Sequence, residues 1–290
     1  MTEAALHLRE PRWFDRFAEW FASDRRGAIS LLYLVVLAGI SIAAPLIAPY
    51  SPTAQSLDDT LAPFSAAHWL GTDDLGRDTL SRLIYGAPAS LYASGLAVGI
   101  AIILGVPVGL IAGYAGGWID EVISRIIDSF LSFPAIVLAI AVTGALGIGL
   151  TNGMISVGIV FSPQLARLVR ARTLVVRNDL FVDAARCFGA STPRILWRHV
   201  LPNTIQPVIV QVTLLLAGAL LAEASLSFLG LGIQPPNPSW GAMLARAYQN
   251  MEIVPEQMYP PGFAILLTAL AFNALGESLR TALDPTMKRL

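Results

Sequence analysis

Lysine occurs once in these 290 residues, at Lys288, and cysteine once, at Cys187. A P-loop nucleotide site needs a lysine inside a glycine-rich turn ahead of a helix, and Lys288 has no such setting. The chain therefore has no Walker motif of its own. A lone cysteine excludes an intrachain disulfide and any multi-cysteine metal site. Histidine is almost as scarce: His7, His68 and His199 lie far apart, and no His-Glu-x-x-His pair occurs to hold a catalytic zinc. Intramembrane serine chemistry lacks its Gly-x-Ser-Gly setting and a partner histidine. Charge is sparse too, at 13% of residues with a net −1, so nothing favours nucleic acid as a partner.

What the chain has instead is apolar surface. At 55% apolar residues the composition is that of an all-α polytopic membrane protein. The first 26 residues carry five acidic and five basic side chains and do not read as a signal peptide. Within them Trp13, Phe14, Phe17, Trp20 and Phe21 recur at helical spacing among charges, the pattern of an amphipathic helix in the membrane interface.

Residues 27–290 are expected to form one six-span transmembrane domain. Span 1 is Gly27 to Ile47, 21 uncharged residues or about 31 Å of helix. A polar outer loop follows at about 50–85, and span 2 runs from about Pro88 to Tyr114. Spans 3 and 4 share the 38 uncharged residues from Ser129 to Ala166, with the turn expected at Gly147–Gly153. After a loop at 167–203, span 5 covers Thr204 to Phe228. A second outer loop at about 231–260 leads to span 6 near Pro261 to Leu279. Sixteen basic residues fall on one face and three (Arg77, Arg82 and Arg246) on the other. The positive-inside rule then places both termini in the cytoplasm of a multi-pass cell-membrane protein. Span 2 repeats glycine every four residues or so, from Gly95 through Gly113, which predicts close helix packing.

The loop at 167–203 is the organising stretch. Asn178 is expected to cap a first short helix, and Ala184 and Ala185 keep its face small. Gly189 allows a left-handed bend. Thr192-Pro193 should start a second helix, and Pro202 should stop it. The spacing Asp183-Ala184-Ala185, then Gly189, then Leu201-Pro202 resembles the EAA loop of ABC-importer permease subunits. Asp183 stands where that family usually has Glu, and His199 where it usually has Ile. Two further stretches, His68 to Gly86 and Glu223 to Gly232 with Pro235-Pro236 and Pro238-Ser239-Trp240-Gly241, resemble the second, C-type permease of dipeptide, oligopeptide and nickel importers. Pro88 stands where relatives often carry an arginine, so no role of that arginine carries over.

The resemblance implies a type I ABC importer permease fold in a prokaryotic inner membrane. It also implies the partners: a homologous second permease, two ABC ATPase subunits or domains holding ATP and Mg, and an extracytoplasmic peptide-binding protein. The chain itself would bind no cofactor and would catalyse nothing. Asp183, Ala184, Ala185, Gly189 and Pro202 become the expected ATPase-docking residues.

Glu223 is oddly placed, within the apolar run Leu220–Leu226 of expected span 5. Its insertion cost of about 2.5–3.5 kcal/mol at mid-helix is outweighed by its apolar neighbours. It is expected to face protein or water, either at a translocation path or gate or as a hydrogen-bonded packing residue. The alternative to an ABC permease is a proton-coupled secondary transporter using Glu223, which would need no docking loop.

Overall fold

The computed structural model describes residues 24–283. The aromatic stretch at 13–21 and the tail from Asp284 lie outside the described residues. Among the described residues the chain is helical throughout, with one isolated bridge between Thr72 and Asp78.

Helix α1 (Arg25–Ile47) starts where Asp24 accepts from the N–H groups of Arg26 and Gly27, both at 3.1 Å. The Ser278 hydroxyl, followed by the Gly27 amide, holds the Asp24 carboxyl below the usual carboxylate range. Ile29, Leu32, Val35, Ile42 and Leu46 point outward along α1, as a lipid-facing surface requires.

Helix α2 (Thr79–Ala115) is 37 residues long and begins inside the stretch expected to be loop. Asp78 is the reason. Its Oδ2 accepts from the Ser81 amide at 2.8 Å and the Ser81 hydroxyl at 2.7 Å, which fixes the first turn. Arg82 is then carried on the helix but turned inward, 3.3 Å from Asp73.

The region after α2 also departs from expectation. Helix α3 (Gly117–Leu131) and helix α4 (Ala135–Leu146) meet at 94°, with Pro134 capping the second. Helix α5 (Leu150–Val176) starts within the predicted turn, so only residues 147–149 make the reversal. Asn152, expected in that turn, sits in the first turn of α5 and donates back to the carbonyls of Leu146 (3.0 Å) and Gly147 (3.1 Å). Helices α6 (Leu180–Cys187) and α7 (Thr192–Ile195) form the hairpin, which continues into α8 (Leu201–Phe228). Helices α9 (Trp240–Gln249) and α10 (Tyr259–Leu283) complete the order.

Four helical stretches among the described residues are long and apolar enough to cross a membrane: α1, α2, the α7–α8 run and the one ending in α10. The bent α3–α4 pair makes a fifth if taken as one span. At 12 residues α4 is about 18 Å long, short of a hydrocarbon core of about 30 Å. The chain is thus an all-helical, multi-span protein.

Two apolar clusters hold these helices. One joins α2, α5 and α8 through Val98, Leu110, Val157, Leu165 and Leu215. The other joins α1, α2, α8, α9 and α10 around Trp240, Leu220 and Phe272. Glycine sets the α2–α5 spacing: a Cβ at Gly109 would lie 2.4 Å from the Ala166 carbonyl oxygen, and one at Gly105 2.6 Å from that of Ser162. In lipid, where apolar burial gives helices no drive to associate, such close approach supplies the packing energy. Gly95 and Gly99 of the same repeat face open space.

Candidate functional site

Two places answer the sequence reading: the hairpin at 177–202 and the seat of Glu223. In the hairpin, α6 ends in a Schellman motif. Gly189 adopts φ +77°, its N–H donates to Arg186 O at 2.9 Å, and the Ala190 N–H donates to Ala185 O at 3.0 Å. Asp183 is exposed and accepts from Arg186 Nη1 at 2.9 Å. Ala184 is exposed, while Ala185 packs on the core cluster. Val182, Ile195 and Val200, all buried, anchor the hairpin to that cluster.

Three details of its punctuation are corrected. Asn178 does not cap α6; its amide donates to Leu174 O at 3.0 Å, and Asp179 holds the cap position without a side-chain bond. Ser191, not Thr192, precedes α7, and Thr192 and Pro193 are its first two residues. Pro202 does not stop the helix. A π-turn over Leu196–Val200 carries α7 straight into α8, with the Leu201 N–H reaching back to Leu196 O. Proline has no N–H to offer its own turn, and widening that turn absorbs the mismatch without ending the helix.

The hairpin also shows what a search for polar motifs passes over. Phe188 is 91% exposed, Leu180 87% and Trp197 59%. Large apolar side chains left bare around a fixed bend are what a protein partner buries. Their signal in the sequence was their position on short helices with no remaining core face to fill.

Glu223 is 1% exposed. Its Oε1 accepts from Ser227 Oγ at 2.7 Å and its Oε2 from Ser90 Oγ at 3.3 Å. The Trp240 N–H donates to that same Ser90 oxygen at 3.3 Å, and Trp240 Nε1 donates to Leu83 O at 3.0 Å. The carboxyl thus joins α2, α8 and the start of α9 inside the subunit, and the structure does not place it on an open surface. Truncation should cost more than isosteric change. Glu223→Leu leaves the two serines short of an acceptor at about 1–3 kcal/mol, whereas Glu223→Gln keeps the shape. Thermal unfolding of the purified chain should fall clearly for Leu and little for Gln; equal effects would contradict this seat.

At the end of the molecule opposite the hairpin, all three minority arginines converge. Arg77 Nε and Nη2 lie 2.8 and 2.7 Å from Asp73, Arg82 lies 3.3 Å from the same carboxylate, and Arg246 lies 3.0 Å from Asp74. His68 pairs with Asp78 at 2.9 Å and lies against the Tyr50 ring. Among the described residues no cluster of three metal-ligating side chains exists. Near the hairpin end a cleft of about 630 Å³ opens between α5, α8 and α10, lined by Arg172, Gln206, Gln211, Leu214 and Arg280.

The fold agrees with known proteins. Residues 105–289 match the family model of binding-protein-dependent transport system inner membrane components. The chain belongs to that family. Residues 14–63 match the N-terminal transmembrane domain of oligopeptide transport permease C. A glutathione transport system permease protein, GsiD, of Shigella flexneri serotype 5b is 46% identical over 283 residues, 97% of this chain and 92% of that one. A dipeptide transport system permease protein, DppC, of Alkalihalophilus pseudofirmus is 44% identical over 273 residues, 93% and 90% of the two chains. Among solved structures, an inward-facing MetNI methionine ABC transporter superposes with a TM-score of 0.58 at 19% identity, over 70% of this chain and 97% of that one. The chain is therefore a multi-pass inner-membrane permease subunit of a binding-protein-dependent ABC transporter, and it is not itself an ATPase.

Proposed function

We propose that this permease forms half of the translocation path of an ATP-driven importer of short peptides, with glutathione and dipeptides as the first substrates to test. The observation that carries the reading is the hairpin: a fixed Schellman bend with bare Phe188, Leu180 and Trp197, built on a chain otherwise suited to lipid. Asp183, Ala184 and Gly189 lie on that exposed face, and it is the docking surface for one of two ABC ATPases holding ATP and Mg. Pro202 is the second residue of α8, just past the π-turn that joins that helix to the hairpin. A homologous permease completes the path, and an extracytoplasmic binding protein delivers the peptide at the Asp73–Arg77 end.

The six-span reading counts α5 as the span its arginines disguise. It is 27 residues long, and its first seventeen are uncharged before Arg167. Both termini, and the hairpin with them, are cytoplasmic. The cleft beside Gln206 and Gln211 supports a water-facing path there, because amide side chains are costly against acyl chains. Glu223 serves as an internal tie near the opposite mouth and not as a proton carrier.

Orientation is tested by thiol labelling of intact cells. Cysteine at Asp59 or Asn237 should react with an impermeant reagent, while the exposed native Cys187 should react only after permeabilisation. Labelling of Cys187 in intact cells would overturn the orientation, and with it the docking surface.

A further inference from the structure

The hairpin is fastened to α2 by two arginines. On α6, Arg186 Nε donates to the Tyr114 hydroxyl at 3.3 Å, and its guanidinium carbon lies 5.2 Å from the centroid of that ring. Arg186 Nη1 donates to Asp183 at 2.9 Å, which holds the group from the other side. Tyr114 is the penultimate residue of α2. Beside it, Arg177 at the end of α5 donates Nη1 to the carbonyls of Gly113 at 2.8 Å and Tyr114 at 3.4 Å. A helix ends in carbonyls without intrahelical partners and with partial negative charge, so an arginine there is well matched.

These contacts divide the hairpin end into a block and a lever. The block is α2 with α5, interlocked at Gly105, Gly109 and Gly113 and closed at its end by Arg177. The lever is α6, which is bounded by the Gly189 bend and has open space around it there. Covalent routes leave the lever at both ends, through residues 177–179 to α5 and through α7 and the π-turn into α8. Across space it is held by buried Val182 in the core cluster and, directly onto the end of α2, by Arg186. An exposed Asp–Arg pair such as Asp183–Arg186 is worth little alone. A guanidinium laid on an aromatic face and bonded to its hydroxyl is directional, and it resists tilting.

We propose that Arg186 and Tyr114 form a coupling latch, through which movement of the docked hairpin is loaded onto the α2–α5 block as well as onto α8. Both are positioning residues that touch neither nucleotide nor peptide. The proposal rests on the hairpin being the ATPase-docking element. Without the latch, α6 can tilt about Gly189 while α2 stays behind, and hydrolysis proceeds with less movement of the path.

The test uses the assembled transporter in proteoliposomes, with its ATPases, its binding protein and a labelled dipeptide or glutathione, and reads uptake per ATP hydrolysed. Arg186→Gln should keep hydrolysis but lower uptake per ATP about fivefold. Arg186→Lys, which keeps a cation over the ring, should recover about half of that loss. Tyr114→Phe, which keeps the ring and loses the hydroxyl, should give a smaller loss. Combining Tyr114→Phe with Arg186→Gln should add nothing to Arg186→Gln alone, since both remove one contact. Unchanged uptake per ATP in Arg186→Gln, or multiplied losses in the double variant, overturns the latch. So does loss of the co-purifying ATPases in Arg186→Gln, which would put the side chain in the docking contact itself. Absence of ATP-driven import by the unmodified complex would instead refute the function proposed above.

Discussion

Gly189→Pro should abolish import while the subunit still inserts and the ATPases still hydrolyse ATP. The bend holds Gly189 at φ +77°, and its N–H closes the Schellman turn on Arg186 O. Proline fixes φ near −65° and has no N–H, so it loses both features at once. It also drives the preceding residue away from helical angles, and Phe188 sits at φ −80° and ψ 8°. Space is not the issue, because nothing lies within 4 Å of a Cβ built at this position. The strain is therefore in the backbone, at about 3 kcal/mol or more, enough for a loss of about a hundredfold in properly bent hairpin. Gly189→Ala, which pays only the left-handed penalty of about 1–2 kcal/mol, should fall between. Uptake and ATP hydrolysis measured on the same vesicles decide it. Full import by Gly189→Pro would remove the bend from the mechanism.

Asp73→Asn should be the most destabilising single change at the opposite end. Arg77 is 1% exposed and Arg82 3%, and both rely on the Asp73 carboxylate. Arg82 finds further acceptors in the carbonyls of Pro52 at 2.7 Å and Pro236 at 3.3 Å, but these are dipoles and not charges. Removing the carboxylate leaves two buried cations with one fewer counter-charge, a loss of about 3–5 kcal/mol. Asp58→Asn, at an exposed position in the same segment, should stay within about 0.5 kcal/mol. Thermal unfolding of the purified subunit compares the two directly. Equal midpoints would mean that the Asp73 network contributes nothing.

The fold was legible wherever charge and apolar runs alternate. Gly27 to Ile47 reads as a span because nothing polar interrupts it, and α1 occupies nearly that stretch. The start of α2 was misread because Arg82 and its neighbours look like loop. Their charges are neutralised by Asp73, a partner that only the folded chain brings near. The run from Ser129 to Ala166 hid a boundary because uniformly apolar helices carry no periodic face, so the end of α4 rested on glycine spacing alone. The α3–α4 bend did leave a trace in Pro134, and α3 left another in its Asp120 and Asp128, which pair with Arg170 and Arg167 of α5.

The hairpin behaves similarly. Its left-handed glycine could be read from residue type, since few other residues tolerate that angle. Its continuity into α8 could not, because Pro202 usually marks an end and the π-turn that rescues it has no sequence signature. Glu223 was conspicuous as a charge in an apolar helix. Its partners Ser90 and Ser227 became visible only once α2 and α8 were packed.

The central claim, that ATP hydrolysis by docked partners drives import through this subunit, is tested most directly in reconstituted vesicles with the energy sources separated. The complete complex should import the labelled peptide with ATP regenerated on the ATPase side and the proton gradient collapsed by a protonophore. Import that requires the proton gradient and proceeds without ATP hydrolysis would contradict the account.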